Sequence, residues 1–198
     1  MPRADLSPSQ RSALSVAFAI DTLSALARSR NVHDIVVVSP TPEIAALAAG
    51  AGAEFVLSES GTKLNDAIKM AHECTRQPTD QVVAAIASDL PALLTNEIDE
   101  VLALAARCRD ATYVSDLCGT GVTFQAERAV TFAACLAPDP TRRHRRRGTN
   151  ATGFLPGMRC DVDTSDGLRI ADFIGVGPAT TTAISEVLGV VRRRSERA

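Results

Sequence analysis

The chain has 198 residues, a formal net charge of −2, 45% apolar residues and only 4% aromatics, with no Trp. That length supports one domain burying roughly 70% of its unfolded surface, and the balanced charge excludes a disordered or nucleic-acid-coating chain. So few aromatics leave no stacking platforms for single-stranded nucleic acid.

In chain order, Ser7 with Gln10 forms a capping box and Pro8 takes the favoured first helical position. Leu14, Phe18 and Ala25 share one face, which predicts a helix from about Pro8 to Arg28. "DIVVVS" is a β-branched run, too short for a helix, and reads as a buried parallel strand. A helix around Pro42–Ala49, a strand at Glu54–Leu57, a helix at Leu64–Cys74 and a strand at Val82–Ala87 follow. Next come a helix at Asn96–Arg107 and strands at Thr112–Ser115 and Val122–Gln125. Residues 137–157, rich in Pro, Gly and Arg, are expected to be a long mobile loop. "RCDVDTSDGLRIADFIG" reads as a short extended piece turning into a helix capped by Thr164, and a last helix spans about Ala179–Arg193. Strands alternating with helices predict βαβ units and an α/β sandwich in a single domain, 1–198.

Five cysteines with no C-x-x-C pair argue against a disulfide framework or a zinc site and for reduced thiols. No stretch of about 18 uninterrupted apolar residues exists and the N-terminus has no signal-type apolar region, so a soluble, cytoplasmic protein without a membrane partner is expected.

Chemistry concentrates at strand ends. In open α/β sheets ligands bind beyond the carboxyl ends of the strands, where Ser88 and Asp89 of "VVAAIASDLPALL" fall. Asp161 and Asp163 of "CDVDT" also lie at a turn after an extended segment. Two such carboxylates converging would suit Mg²⁺, which takes one or two protein carboxylates and fills its other positions with water and phosphate oxygens. The plain alternative is that Asp before Leu-Pro starts a turn and D-x-D before a helix caps it. "GTGVTF", Gly119–Phe124, has small residues for close approach to an anion, or simply forms a tight turn between strands. "RRHRRRG" concentrates positive charge that would focus anions, or is a solvated loop, with His144 one more polar residue in it. His33 and His72 have no visible partners and receive no role.

Together "SDLPALL", "GTGVTF", "RRHRRRG", "PGMRCDVDT" and "GVGPATTTAI", in this order and spacing, resemble the guanylyltransferases of coenzyme F-420 biosynthesis. Those enzymes join GMP from GTP to phosphoenolpyruvate or 2-phospho-L-lactate. The likeness runs from Leu6 to Ile184. "SDLP" and "DVDT" alone would also fit the wider nucleotidyltransferase superfamily, including the molybdenum-cofactor guanylyltransferases, and "GVGPAT" narrows the match. The resemblance implies a three-layer α/β/α sandwich with a predominantly parallel, mixed sheet of the nucleotide-diphospho-sugar transferase type. It implies that Asp89 and Asp161 hold a catalytic Mg²⁺ with Asp163 beside them, and that Leu64, Asn65 and Ser88 lie at the nucleotide. It places Gly119, Thr120, Gly121, Val122 and Thr123 near the acceptor, with Ala137, Pro140 and Thr141 at the later acceptor loop. Two departures stand out. Relatives carry a hydroxyl directly after "GTG" and Gly and Ser in the later loop, where this chain has Val122, Ala137 and Pro140, with Thr123 or Thr141 as substitutes. Relatives also begin with a central strand and a basic loop, absent here. Either the start is placed too late or the chain is a shortened relative. The latter would leave a sheet edge open to self-association. A catalytically silent homologue serving as a binding partner is the alternative from outside enzymology.

Overall fold

The computed structural model describes residues 6–74, 78, 80–136, 148–151 and 153–195, the side chains only as far as 187. Helix α1, Pro8–Ala27, opens on the expected capping box: Gln10 N–H donates to Ser7 Oγ and Ser7 N–H to Gln10 Oε1. Strand β1 (Val36–Ser39), helix α2 (Ile44–Gly50), strand β2 (Glu54–Leu57) and helix α3 (Leu64–Cys74) follow. Then come β3 (Val82–Ile86), α4 (Thr95–Ala105), β4 (Ala111–Ser115) and β5 (Val122–Arg128). The chain continues with β6 (Gly148–Asn150), a single helical turn α5 (Pro156–Arg159), α6 (Ser165–Ile174) and α7 (Pro178–Ser195).

The strands form two sheets among the described residues. β1 and β2 pair in parallel, and a four-stranded sheet runs in the order β3-β5-β4-β6. β5 is antiparallel to both neighbours while β4 and β6 are parallel, so the sheet is mixed as expected, but the short β4–β5 turn returns the chain antiparallel and the four-stranded sheet lacks the expected parallel majority. The period of two along each strand sorts side chains to opposite faces. Val114, Phe124 and Ala126 pack with Ala25, Ile98 and Val101 of α1 and α4. Ala85 and Tyr113 face the other way, against Leu136 and Ile68 of α3, and Val122 joins them because the register shifts between Val114 and Ser115 and breaks the alternation at that end of β5. These are the layers of an α/β sandwich.

The region expected to be one long loop contains structure. β6 exists because Ala111–Tyr113 offers it a parallel partner, and α5 because a distant carboxylate caps it; neither partner is readable locally. Residues 137–147 of that region, which include the Arg run and His144, lie outside the described residues.

A third cluster joins α1 to the C-terminal helices through Leu14, Phe18, Ala171, Ala183 and Val187. The "GVGPAT" stretch is explained here. Asp21 of α1 is buried, and its carboxylate accepts from Ala179 N–H at 3.1 Å and Thr180 N–H at 2.8 Å, capping α7 from another helix. Gly177 has no room for a side chain, since a Cβ there would lie 2.3 Å from Asp21 Cγ. Asp21→Ala should therefore cost about 2–3 kcal/mol, a helix cap plus buried donors left unpaired. Urea denaturation checks this, and a loss below about 0.5 kcal/mol would show that water replaces the carboxylate.

No described helix is long and apolar enough to cross a membrane. None of the five cysteines is paired in a disulfide. Cys160 is buried, and burial, with Asp161 beside it, pushes its thiol up to about 11, so it stays protonated and inert.

Candidate active site

β3 ends at Ile86, and the chain turns through Ser88 and Asp89 at its carboxyl end before Leu90 and Pro91 lead to α4. Ser88 is exposed, and its carbonyl accepts from Thr22 Oγ1 at 3.3 Å. The segment after α5 runs back alongside: Val162 N–H donates to the Asp89 carbonyl at 3.1 Å. This single bond places Asp161 next to Asp89, although 72 positions separate them (161 − 89). Their proximity registers electrostatically. The Asp161 carboxyl is raised to about 6, first by burial, then by the Asp89 and Asp116 carboxylates, with a smaller push from Asp163. Asp163 is exposed at the mouth of the same turn, and Thr164 caps α6 by accepting from Gly167 N–H at 3.0 Å, as the sequence implied.

α5 fixes where this segment sits. Glu97, buried in α4, accepts from Gly157 N–H at 2.9 Å, Met158 N–H at 3.1 Å and Leu94 N–H at 3.1 Å. Burial raises its pKa against the opposing pull of those three donors. Gly157 is obligatory, because a Cβ there would lie 2.1 Å from the Ala92 carbonyl oxygen and 2.7 Å from Glu97 Oε2.

The "GTG" stretch is the tight connection between β4 and β5, and Gly119 takes φ 72°. Asp116, unremarked in the sequence, organises it. This buried carboxylate accepts from Thr120 N–H at 2.9 Å, Gly121 N–H at 2.5 Å and Thr120 Oγ1 at 3.2 Å. Its carbonyl accepts from Gly119 N–H at 3.2 Å. A Cβ on Gly121 would lie 2.7 Å from Asp116 Oδ2, which accounts for the second glycine. An Asp a few residues ahead of a glycine turn is a readable cue for such a side-chain-closed turn. Val122 and Thr123 are buried in the sheet, and Thr123 Oγ1 is turned to the Val114 carbonyl at 3.4 Å. Arg159, also unassigned in the sequence, bridges turn and acidic segment: Nε donates to the Ser115 carbonyl at 3.1 Å and Nη2 to that of Asp116 at 3.0 Å. Leu117 N–H returns a bond to the Arg159 carbonyl at 3.0 Å.

Leu64 is exposed at the start of α3, and Asn65 Oδ1 accepts from Leu136 N–H at 3.0 Å, tying α3 to the segment after β5. Ala137, Pro140 and Thr141 lie outside the described residues.

Asp89, Asp116 and Asp161 thus gather at the carboxyl end of β3 beside the β4–β5 turn. Among the described residues no group of three or more His, Cys, Asp and Glu forms a ready-made metal cage. The donor set is nonetheless hard: carboxylate oxygens, two of them on segments tied backbone to backbone, with the buried Cys160 thiol kept protonated. It fits a hard cation that keeps much of its own shell, such as Mg²⁺.

A raised carboxyl also makes a stability statement. Folded, Asp161 keeps its proton to about pH 6; unfolded, only to about its ordinary value of 3.8. The folded state binds more protons across that window, so metal-free stability falls as pH rises through it. Asp161→Asn should raise the Tm of the metal-free protein by a few degrees at pH 7.5 and leave it unchanged below about pH 3.5. Thermal melts in EDTA at both pH values check this, and an equal or lower Tm at pH 7.5 would refute it.

Residues 3–125 match the family described as "Guanylyl transferase CofC like". The phosphoenolpyruvate guanylyltransferases of Mycobacterium marinum and Mycobacterium ulcerans are each 35% identical over 184 residues, covering 90% of this chain and 84% of theirs. That of Mycobacterium sp. strain KMS is 36% identical over 182 residues, covering 89% of this chain and 81% of its own.

Proposed function

We propose that this chain, which belongs to the CofC-like guanylyl transferase family and is therefore an enzyme of the nucleotidyltransferase type, transfers GMP from GTP to a small phosphorylated three-carbon acid. The acceptor is phosphoenolpyruvate or 2-phospho-L-lactate, and the setting is the cytoplasmic synthesis of coenzyme F-420. The relatives' names support guanylyl transfer and phosphoenolpyruvate. The observation that carries the reading at residue level is the meeting of Asp89 and Asp161 across the Val162–Asp89 backbone bond.

In this reading an acceptor phosphate oxygen attacks the α-phosphorus of GTP. A new P–O–P linkage forms, the bond from the α-phosphorus to the bridging oxygen breaks, and pyrophosphate leaves. No protein nucleophile is required, so positioning and charge neutralisation dominate. Asp89 and Asp161 would hold Mg²⁺, which when bound supplies positive charge against the phosphates. Their other contribution is placement: the Asp89 carbonyl and Val162 amide keep both acids in register. The glycine turn, closed by Asp116, presents a narrow backbone surface to the acceptor. Asn65, at the start of α3, would serve on the nucleotide side.

The test is pyrophosphate release with Mg²⁺, each of the four nucleoside triphosphates and each acceptor. GTP with phosphoenolpyruvate or 2-phospho-L-lactate should give release that needs both substrates. Release with another triphosphate in preference to GTP, or with neither acid, would overturn the assignment.

A further inference from the structure

We infer that Arg159 is the acceptor's specificity-determining cation, its guanidinium anchored at the base of the glycine turn to receive an anionic group of the phosphorylated acid. The inference rests on the proposed acceptor class and deepens it.

A small acid bearing a phosphate and a carboxylate needs N–H or cationic partners. The glycine turn has few to give. The amides of Gly119, Thr120 and Gly121 all donate to Asp116, as does the Thr120 hydroxyl, and the Leu117 amide donates to Arg159. Thr123, next in line, spends its hydroxyl on the Val114 carbonyl. The turn's local anion position is filled by the protein's own carboxylate, so it shapes the acceptor site without supplying the charge. The three acids around it repel an anionic acceptor further.

Arg159 supplies what is missing. It is half-buried, two residues before Asp161, and its Nε and Nη2 are anchored on the carbonyls of Ser115 and Asp116, at the base of the turn. Neutral carbonyls orient the guanidinium without cancelling its charge, and no carboxylate forms an ion pair with it among the described residues. Nη1 makes no hydrogen bond among the described residues, leaving its two N–H groups for a ligand. A planar fork anchored on two nitrogens and open on the third is a fixed receptor for a carboxylate or phosphate, a geometry that lysine does not reproduce.

The experiment is calorimetric titration of phosphoenolpyruvate into the full chain with Mg²⁺ and α,β-methylene-GTP, which blocks turnover, alongside titration of that nucleotide alone. Arg159→Gln retains an amide donor for the anchoring carbonyls and removes the charge. It should weaken phosphoenolpyruvate at least about tenfold, as for loss of one charge-assisted hydrogen bond, and leave nucleotide affinity within twofold. Arg159→Lys keeps the charge without the fork and should lose at least about fivefold, which carries the test if the Gln variant does not fold. Phosphoenolpyruvate binding within twofold of wild type, or an equal loss of nucleotide and acceptor, would overturn the inference. Failure of the wild-type protein itself to bind phosphoenolpyruvate would instead remove the acceptor reading, and this inference with it.

Discussion

Asp89→Ala and Asp161→Ala should each lower turnover at least about a hundredfold, because each removes a main source of electrostatic organisation at the reacting phosphates. The two substitutions share one mechanism, so the double variant should be little worse than either single one. The expected signature separates function from folding. Asp161 is an acid whose proton is held up to about 6 by burial and by neighbouring carboxylates, so removing it relieves repulsion. Activity falls while metal-free stability rises at neutral pH, the mark of a carboxylate kept for chemistry rather than for the fold. Initial rates of pyrophosphate release beside thermal melts make the comparison. Near-normal rates in both folded variants would end the assignment of this pair.

The largest effect on stability is expected at Gly157→Ala, about 3–5 kcal/mol. The added carbon would lie 2.1 Å from the Ala92 carbonyl oxygen and 2.8 Å from its carbon, which are backbone atoms and cannot swing aside. Relief requires α5 to move away from Glu97, so the Gly157 and Met158 amides lose their carboxylate and a buried acid loses its donors. A chain of this size loses about 2–4 °C per kcal/mol, so the melting temperature should drop by about 10 °C. The same shift moves Arg159 and Asp161, so residual activity should fall as well. Gly50→Ala is the control: it ends α2, nothing stands within 4 Å of the added carbon, and it should stabilise slightly, by at most about 1 kcal/mol. A change below about 1 kcal/mol for Gly157→Ala would show that α5 is not held as described.

These sites show what the sequence made legible. The strand-helix alternation from β1 to β5 was readable because each element carries its own period and end signals. The Ser7–Gln10 box and the Thr164 cap are local and appeared as expected. Asp89 and Asp161 were readable as an acid at a strand end and an acid at a turn, and the fold brings them together. What escaped was set by distant partners. α5 depends on Glu97, some 60 residues earlier, and β6 on pairing with β4. Asp21 reads as an ordinary polar position of α1 until α7 docks its N-terminus on it. Asp116 and Arg159 sat beside the quoted motifs, yet their roles emerge only when the β4–β5 turn and the acidic segment lie side by side.

The most direct measurement is electron paramagnetic resonance of Mn²⁺, a hard stand-in for Mg²⁺, titrated with GTP into the wild-type chain and into an Asp89→Asn, Asp161→Asn double variant shown to be folded. One protein-bound Mn²⁺ in the wild type and its loss in the double variant is the expected result. Equal Mn²⁺ binding in both would mean that these two acids hold no ion.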